Sequence, residues 1–314
     1  MQIQGMQQVQ ILGDDKPKRP PKPLTFRRIL LYLFLIVTSL IMFYPLLFML
    51  VASFTTMADY QQSTWFPVPK SVYLNNWEEF LTRPDLLTWV GNTLLRVTWY
   101  ITIPAAIAVL CGYVFTRLRF RGRDVIFTLL LASMMVPAVV YIIPTFIGLA
   151  RFPLVGGNDI TGQGGSGFIN TWGALLLPGL VNAFYIFLMR QAYMVIPLDY
   201  EDAARVDGAG TMQILWEIYV PLLRPALAVI IILQFVNIWN DYLNPLVFAG
   251  GNQEIAPIAL AAQRFIYTTS QRAGQVDYTR MFTVATVVTL PIVLVFLFLQ
   301  RFFVKGVATF GVKG

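Results

Sequence analysis

Six runs of about twenty or more mostly apolar residues divide this 314-residue chain, near Ile29 to Phe54, Leu86 to Thr116, Val125 to Ala150, Thr171 to Met189, Pro225 to Ala249 and Thr279 to Phe303. A helix of that length crosses the hydrocarbon core of a bilayer, where the backbone must satisfy its own polar groups. The runs predict an all-α polytopic membrane protein with six transmembrane helices. Composition agrees, because 57% hydrophobic and 12% charged residues leave too little polar surface for a soluble globular chain.

Lysine and arginine set the expected orientation. Lys16, Lys18, Arg19, Lys22, Arg27 and Arg28 crowd the N-terminal tail, and Arg117, Arg119, Arg121 and Arg123 crowd the second connection. Both belong on the cytoplasmic side. Alternation then places the stretch around Asp199 and the C-terminal end in the cytoplasm too. The predicted organisation is a basic tail (1–28), a membrane domain (29–303) containing a cytoplasmic loop (196–225), and a C-terminal tail (304–314). The first run is too long for the apolar core of a cleaved signal peptide and reads as a signal anchor. Basic cytoplasmic loops beside an anionic leaflet account for the net charge of +7 without nucleic acid.

The sequence contains no histidine, and its only cysteine, Cys111, falls inside a span. That removes the commonest general base, histidine-dependent triads and zinc sites, and any internal disulfide or redox pair. No metal site and no catalytic residues are expected. The stretch GGNDITGQGGSG has the glycine spacing of a phosphate loop, but Gln163 stands where the lysine belongs and no strand precedes it. It reads as a flexible connecting loop.

The segment IPLDYEDAARVDGAG packs five charged residues between apolar runs. Asp199 is placed to cap a helix with acidic residues in its first turn, Gly208 to stop it, and Thr211 to cap a second helix ending at Pro221. Composition alone leaves a solvated loop equally open. In the fifth run Asn237, Asn240, Asp241 and Asn244 recur at helical spacing and share one face, and Asn92 and Arg96 lie in the second run. Such groups line a watery pathway or join helices to one another, and Arg96 can pair with Asp241. Pro104, Pro137, Pro144 and Pro245 are candidate kinks. Outside, a short surface helix is expected around Trp77 and another within APIALAAQRFIYTTS.

EDAARVDGA, followed by Ile218 and Pro221, closely resembles the signature of permease subunits of ATP-binding-cassette importers. The wider stretch INTWGALLLPGLVNAFYIFLMRQAYMVIPLDYEDAARVDGAG, then WNDYLNPL and the terminal VKG, resembles the maltose-type second permease of the sugar branch. The family's first glutamate is replaced by Asp202 here, unless Glu201 substitutes for it. The resemblance implies a type I importer permease with a coupling helix that docks on a separate ATPase. Glu201, Asp202, Ala203, Ala204, Asp207, Gly208, Ala209, Ile218 and Pro221 would form the coupling site, and Gly311, Val312, Lys313 and Gly314 would reach the same interface. It also implies a second homologous permease, two ATPase subunits holding ATP and magnesium, an extracytoplasmic binding protein, and a sugar or oligosaccharide as cargo. Asn92, Asn237, Asn240, Asp241 and Asn244 are the candidate translocation residues. An ion-coupled secondary transporter using Asp241 or Arg96 is the main rival, and an intramembrane enzyme a more distant one.

Overall fold

A computed structural model describes residues 25–63, 65–274 and 276–311. Among them every regular element is helical. In chain order these are α1 (Phe26–Ala52), α2 (Met57–Gln62), α3 (Asn75–Leu81), α4 (Leu86–Arg117), α5 (Arg123–Ser133), α6 (Ile142–Ala150), α7 (Trp172–Leu176), α8 (Ala183–Val195) and α9 (Asp199–Val206). They continue with α10 (Thr211–Gln213), α11 (Val220–Leu222), α12 (Arg224–Trp239), α13 (Leu243–Ala249), α14 (Ile258–Ala273) and α15 (Tyr278–Gly311). A 3-10 turn, Ala138–Tyr141, leads into α6, and a π-helical stretch, Ile214–Tyr219, joins α10 to α11.

The six apolar runs do not become six unbroken helices. Three helices, α1, α4 and α15, are long and apolar enough to span on their own among the described residues. Two bent pairs add up to two more candidate spans: α5 with the turn and α6, at 95°, and Thr211–Leu222 with α12, at 75°. Pro137 marks the first bend, since proline holds its predecessor away from helical backbone. The run at Thr171 to Met189 divides into α7 and α8, because Pro178 and Gly179, with Gly179 at φ +76°, interrupt it. Asn182 restarts the helix, its side-chain oxygen accepting the N–H groups of Phe184 and Tyr185 at 3.0 and 3.3 Å. Pro144 and Pro245 lie in the first turns of α6 and α13, where a missing N–H costs nothing, and α4 runs on through Pro104.

Two compact units divide the chain, Met1–Phe48 and Met49–Gly314. The described part of the first is the apolar helix up to Phe48, exposed along its length, as lipid-facing side chains are. The second is built around α4, which packs along α8 on one side and α12 on the other, with α15 behind α12. Several polar groups inside it are satisfied locally. Buried Gln234 donates to the Tyr100 carbonyl at 3.1 Å and accepts from the Tyr185 hydroxyl at 3.0 Å. The Trp239 indole donates to the Val288 carbonyl at 2.9 Å.

Gly112 sets the approach of α4 to α8. A Cβ there would lie 2.9 Å from Met189 Cβ and 3.1 Å from the Tyr193 ring. Small residues at such crossings let membrane helices close on each other. Gly112→Val is therefore expected to separate the two helices at a cost of about 1–3 kcal/mol. Thermal unfolding of the purified protein measures it, and an unchanged midpoint would show that the crossing tolerates a side chain.

The segments around Trp77 and Gly156 are more ordered than their composition suggests. Around Trp77 the expected helix is α3, and Trp77 stacks on Phe54 at 5.0 Å while donating to the Ser53 carbonyl at 3.1 Å. The glycine-rich connection, expected to be a flexible loop, is a close-packed knot. A Cβ at Gly156 would fall 2.1 Å from the Gly167 carbonyl oxygen. The Asp159 carboxylate accepts the N–H groups of Gln163 and Thr161 at 2.9 and 2.8 Å, bonds that hold it below the usual carboxylate range.

Candidate functional site

The charged segment folds into α9, whose first turn carries Asp199, Glu201 and Asp202 against the positive end of the helix dipole. Asp199 does not cap it. Leu198 already has helical backbone after Pro197, so its carbonyl accepts the N–H groups of Glu201 and Asp202 at 2.8 and 3.0 Å and the helix starts a residue early. Gly208 ends the helix at φ +85°, a conformation that costs other residues about 1–2 kcal/mol. Thr211 is the first residue of α10 rather than its cap, and the helical path runs past Pro221 to Leu222.

Of the two neighbouring carboxylates, one points in and one out. Glu201 is only 6% exposed and sits at the centre of a polar cluster. Its Oε1 accepts from Arg205 at 2.7 Å and from the Tyr113 hydroxyl at 3.2 Å, and its Oε2 accepts from the Tyr219 hydroxyl at 2.7 Å. Arg117 Nε lies 3.9 Å from Oε2, and its Nη2 donates to the carbonyls of Tyr193, in the last turn of α8, at 3.1 Å and of Ile196, just past it, at 2.6 Å. Burial pushes the Glu201 carboxyl up, but the bonds from Arg205, Tyr219 and Tyr113 outweigh it and hold the group below its ordinary value. The rings of Tyr113, Tyr193 and Tyr219 meet edge to face around the cluster, with centroids 5.1–6.0 Å apart.

Asp202, Ala203, Asp207 and Gly208 lie on the open face of the loop with Val206, which is 88% exposed. Tyr200, Met212 and Trp216 extend that face. Ala204 is buried beneath it, and Ala209, Ile218 and Pro221 are half-buried. The pattern of one anchored carboxylate beneath an exposed mixed surface fits a docking helix fixed to the membrane domain. Sequence reading missed Tyr113, Arg117 and Tyr219. Arg117 carried a signal, but only as one of four arginines setting orientation.

The polar residues of the fifth run do not share one helical face, because α12 stops at Trp239 and α13 begins at Leu243. Asn237 is exposed on α12. Asn240 turns its amide back onto the Val236 carbonyl at 2.8 Å. Asp241, in the break, pairs with buried Arg96 at 2.6 Å and accepts from the Asn244 amide at 3.0 Å. The Asn92 amide donates to the carbonyls of Glu254 and Ala256 at 2.7 and 3.1 Å. In the C-terminal tail Gly311 closes α15, and Val312, Lys313 and Gly314 lie outside the described residues.

Residues 105–309 match the family model described as the binding-protein-dependent transport system inner membrane component. Among curated relatives, the arabinooligosaccharides transport system permease protein AraQ of Halalkalibacterium halodurans is 31% identical over 275 residues, covering 86% of this chain and 91% of the relative. The lactose transport system permease protein LacG of Rhizobium radiobacter is 32% identical, covering 74% and 78%. The diacetylchitobiose uptake permease protein NgcG of Streptomyces coelicolor is 27% identical, covering 85% and 83%. A bacterial ABC transporter that imports alginate shares the fold at a TM-score of 0.71 and 24% identity, over 90% of this chain and 99% of its own. The all-helical fold is thus that of a type I importer permease, a non-catalytic part of its machine. The chain belongs to the family of binding-protein-dependent transport system inner membrane components.

Proposed function

We propose that the chain moves a sugar or oligosaccharide into the cytoplasm by alternating access, driven by a separate ATPase that docks on the α9 loop. The observation that carries the coupling role is the division of labour within α9: Glu201 is tied into the membrane domain, while Asp202, Ala203, Val206 and Asp207 face outward. In this reading Asp202 and Asp207 meet basic groups of the ATPase, Ala203 allows close approach, and Ala204 and Ala209 seat the helix. Gly208 supplies the turn, and Ile218 and Pro221 support it from below. The tail from Gly311 to Gly314 reaches the same partner.

The printed names of the relatives, which concern arabino-oligosaccharides, lactose and diacetylchitobiose, support a saccharide cargo. The complete importer in this reading has a second homologous permease, two ATPase subunits holding ATP and magnesium, and an extracytoplasmic binding protein. The chain spans the bacterial or archaeal inner membrane with both termini in the cytoplasm.

Cysteine cross-linking tests the docking. In a Cys111→Ser background, Ala203→Cys should form a nucleotide-dependent cross-link to single cysteines around the groove of the co-expressed ATPase. Buried Ala204→Cys should not. Failure of Ala203→Cys to cross-link in a correctly assembled complex would reject the coupling assignment.

A further inference from the structure

The polar residues first expected to line the cargo path are largely spoken for. Asn92, Asn240 and Asn244 each spend an amide on a neighbouring protein oxygen, and Asp241 is held by Arg96. A different place in the same unit offers polar groups that remain available. Between α3, α4, α13, α14 and α15 lies an open cleft of about 1130 Å³, above the range of about 300–1,000 Å³ typical of small-molecule sites. In the reading above it opens on the extracytoplasmic side.

The cleft is built in two layers. Trp89 and Phe265 form its buried floor, and the Arg83 guanidinium lies over both, 5.3 and 4.9 Å from their ring centres. Its Nε is buried without a hydrogen-bond partner among the described residues, and its Nη2 pairs loosely with Asp85 at 3.8 Å, leaving the side chain one-third exposed to the cleft. Above the floor, Tyr242 and Tyr267 are exposed, Tyr267 by 63%. The Glu254 carboxylate, at the rim, has no bonding partner among the described residues, while its backbone is fixed by Asn92 and Asn252.

Ring faces beside oriented donors and acceptors match the alternating C–H faces and hydroxyl edges of a sugar. Charge narrows the class. Arg83, Arg264 and Arg280 line the cleft together with Glu79, Asp85 and Glu254, so its formal charge sums to zero. Arg280 is moreover neutralised by Glu79 at 3.1 Å and Asp277 at 3.3 Å, and Arg264 donates to the Gly250 carbonyl. No surplus of positive charge is present to hold a chain of uronates.

We propose that this cleft is a binding site for a neutral oligosaccharide, contacted by Tyr242 and Tyr267 through their rings and by Arg83 and Glu254 through hydrogen bonds. The proposal rests on the saccharide-importer reading and adds to it a site and a charge preference.

The test is saturation-transfer NMR on the complete permease–ATPase complex in nanodiscs, without the binding protein. Arabinotriose, maltotriose and N,N′-diacetylchitobiose serve as neutral probes and trigalacturonate as the acidic one. At least one neutral probe should bind, trigalacturonate should not, and Tyr267→Ala and Glu254→Gln should each weaken binding about tenfold while Tyr267→Phe retains it. Co-purification with the ATPase checks that each variant assembles. If a neutral probe is taken up by the importer with its binding protein, yet binds the nanodisc complex equally in wild type and Tyr267→Ala or not at all, the cleft proposal falls and the importer reading stands. Equal binding of trigalacturonate overturns the charge preference and with it the proposal. A Tyr267→Cys cross-link to the binding protein that no sugar prevents reassigns the cleft as a protein-docking surface. Uptake of none of the neutral probes overturns both readings.

Discussion

Glu201→Ala is expected to uncouple ATP hydrolysis from transport while the membrane helices remain inserted. The substitution removes the acceptor shared by Tyr113, Tyr219 and Arg205 and leaves Arg117 without its nearby carboxylate. Removing one partner of a buried ion pair costs about 3–5 kcal/mol. The lower figure applies here, since Arg205 is half-exposed and recovers water. The outward-facing Asp202→Ala should stay within about 0.5 kcal/mol of wild type in folding, because its carboxylate makes no bond among the described residues. The two carboxylates are thus separable: Glu201→Ala should lower the unfolding midpoint and open the loop to protease, and Asp202→Ala should leave both unchanged and weaken only ATPase attachment. Equal stability of the two variants would show that the cluster does not anchor α9.

The sign of the pH dependence follows. The folded-state carboxyl of Glu201 lies below its ordinary value of 4.5, so its stabilising contribution is complete above that value. It is lost as pH falls through the lowered folded value. Protease resistance of the loop should therefore hold at pH 5.5 as at neutrality, and Glu201→Gln should remove this part of the acid transition.

Arg96→Leu is expected to have the second large effect. Arg96 is 1% exposed and its Nη2 lies 2.6 Å from Asp241, a charge left without its cation in the variant. The break between α12 and α13 falls at that aspartate, so the pair fastens the broken span to α4. A loss of about 3–5 kcal/mol follows. The reversed pair, Arg96→Asp with Asp241→Arg, should recover part of it, whereas an apolar pair, Arg96→Met with Asp241→Leu, should approach wild-type stability. Yield of assembled complex and its thermal midpoint report all three. Absence of recovery in both double variants would show that each residue has another, separate role.

The sequence made the class of fold legible because lipid imposes one rule on the whole chain, and each apolar run obeys it. Arg96 with Asp241 was legible for the same reason: two opposite charges inside apolar runs have few alternatives to each other. Breaks were harder. Pro178–Gly179 and Asn240–Tyr242 split runs whose composition is continuous, and hydropathy does not register backbone geometry. The loop was recognisable from EDAARVDGA, but which carboxylate faced outward was not. That choice depends on Tyr113 and Tyr219, 88 and 18 residues away along the chain. Likewise the cleft gathers residues from Glu79 to Arg280, and no local pattern announces it.

The π-helical stretch at Ile214–Tyr219 bears on how related chains should be compared. Its buried residues are Ile214, Leu215 and Tyr219, with Tyr219 five residues after Ile214 and four after Leu215. A wide turn takes one residue more than an α-turn before the same side comes round again. A helical wheel drawn at constant α-pitch through it displaces every later position by one residue, or about 100°. Positions before and after the wide turn belong on two separate wheels, and a single wheel would turn membrane-domain contacts of this chain toward the wrong side.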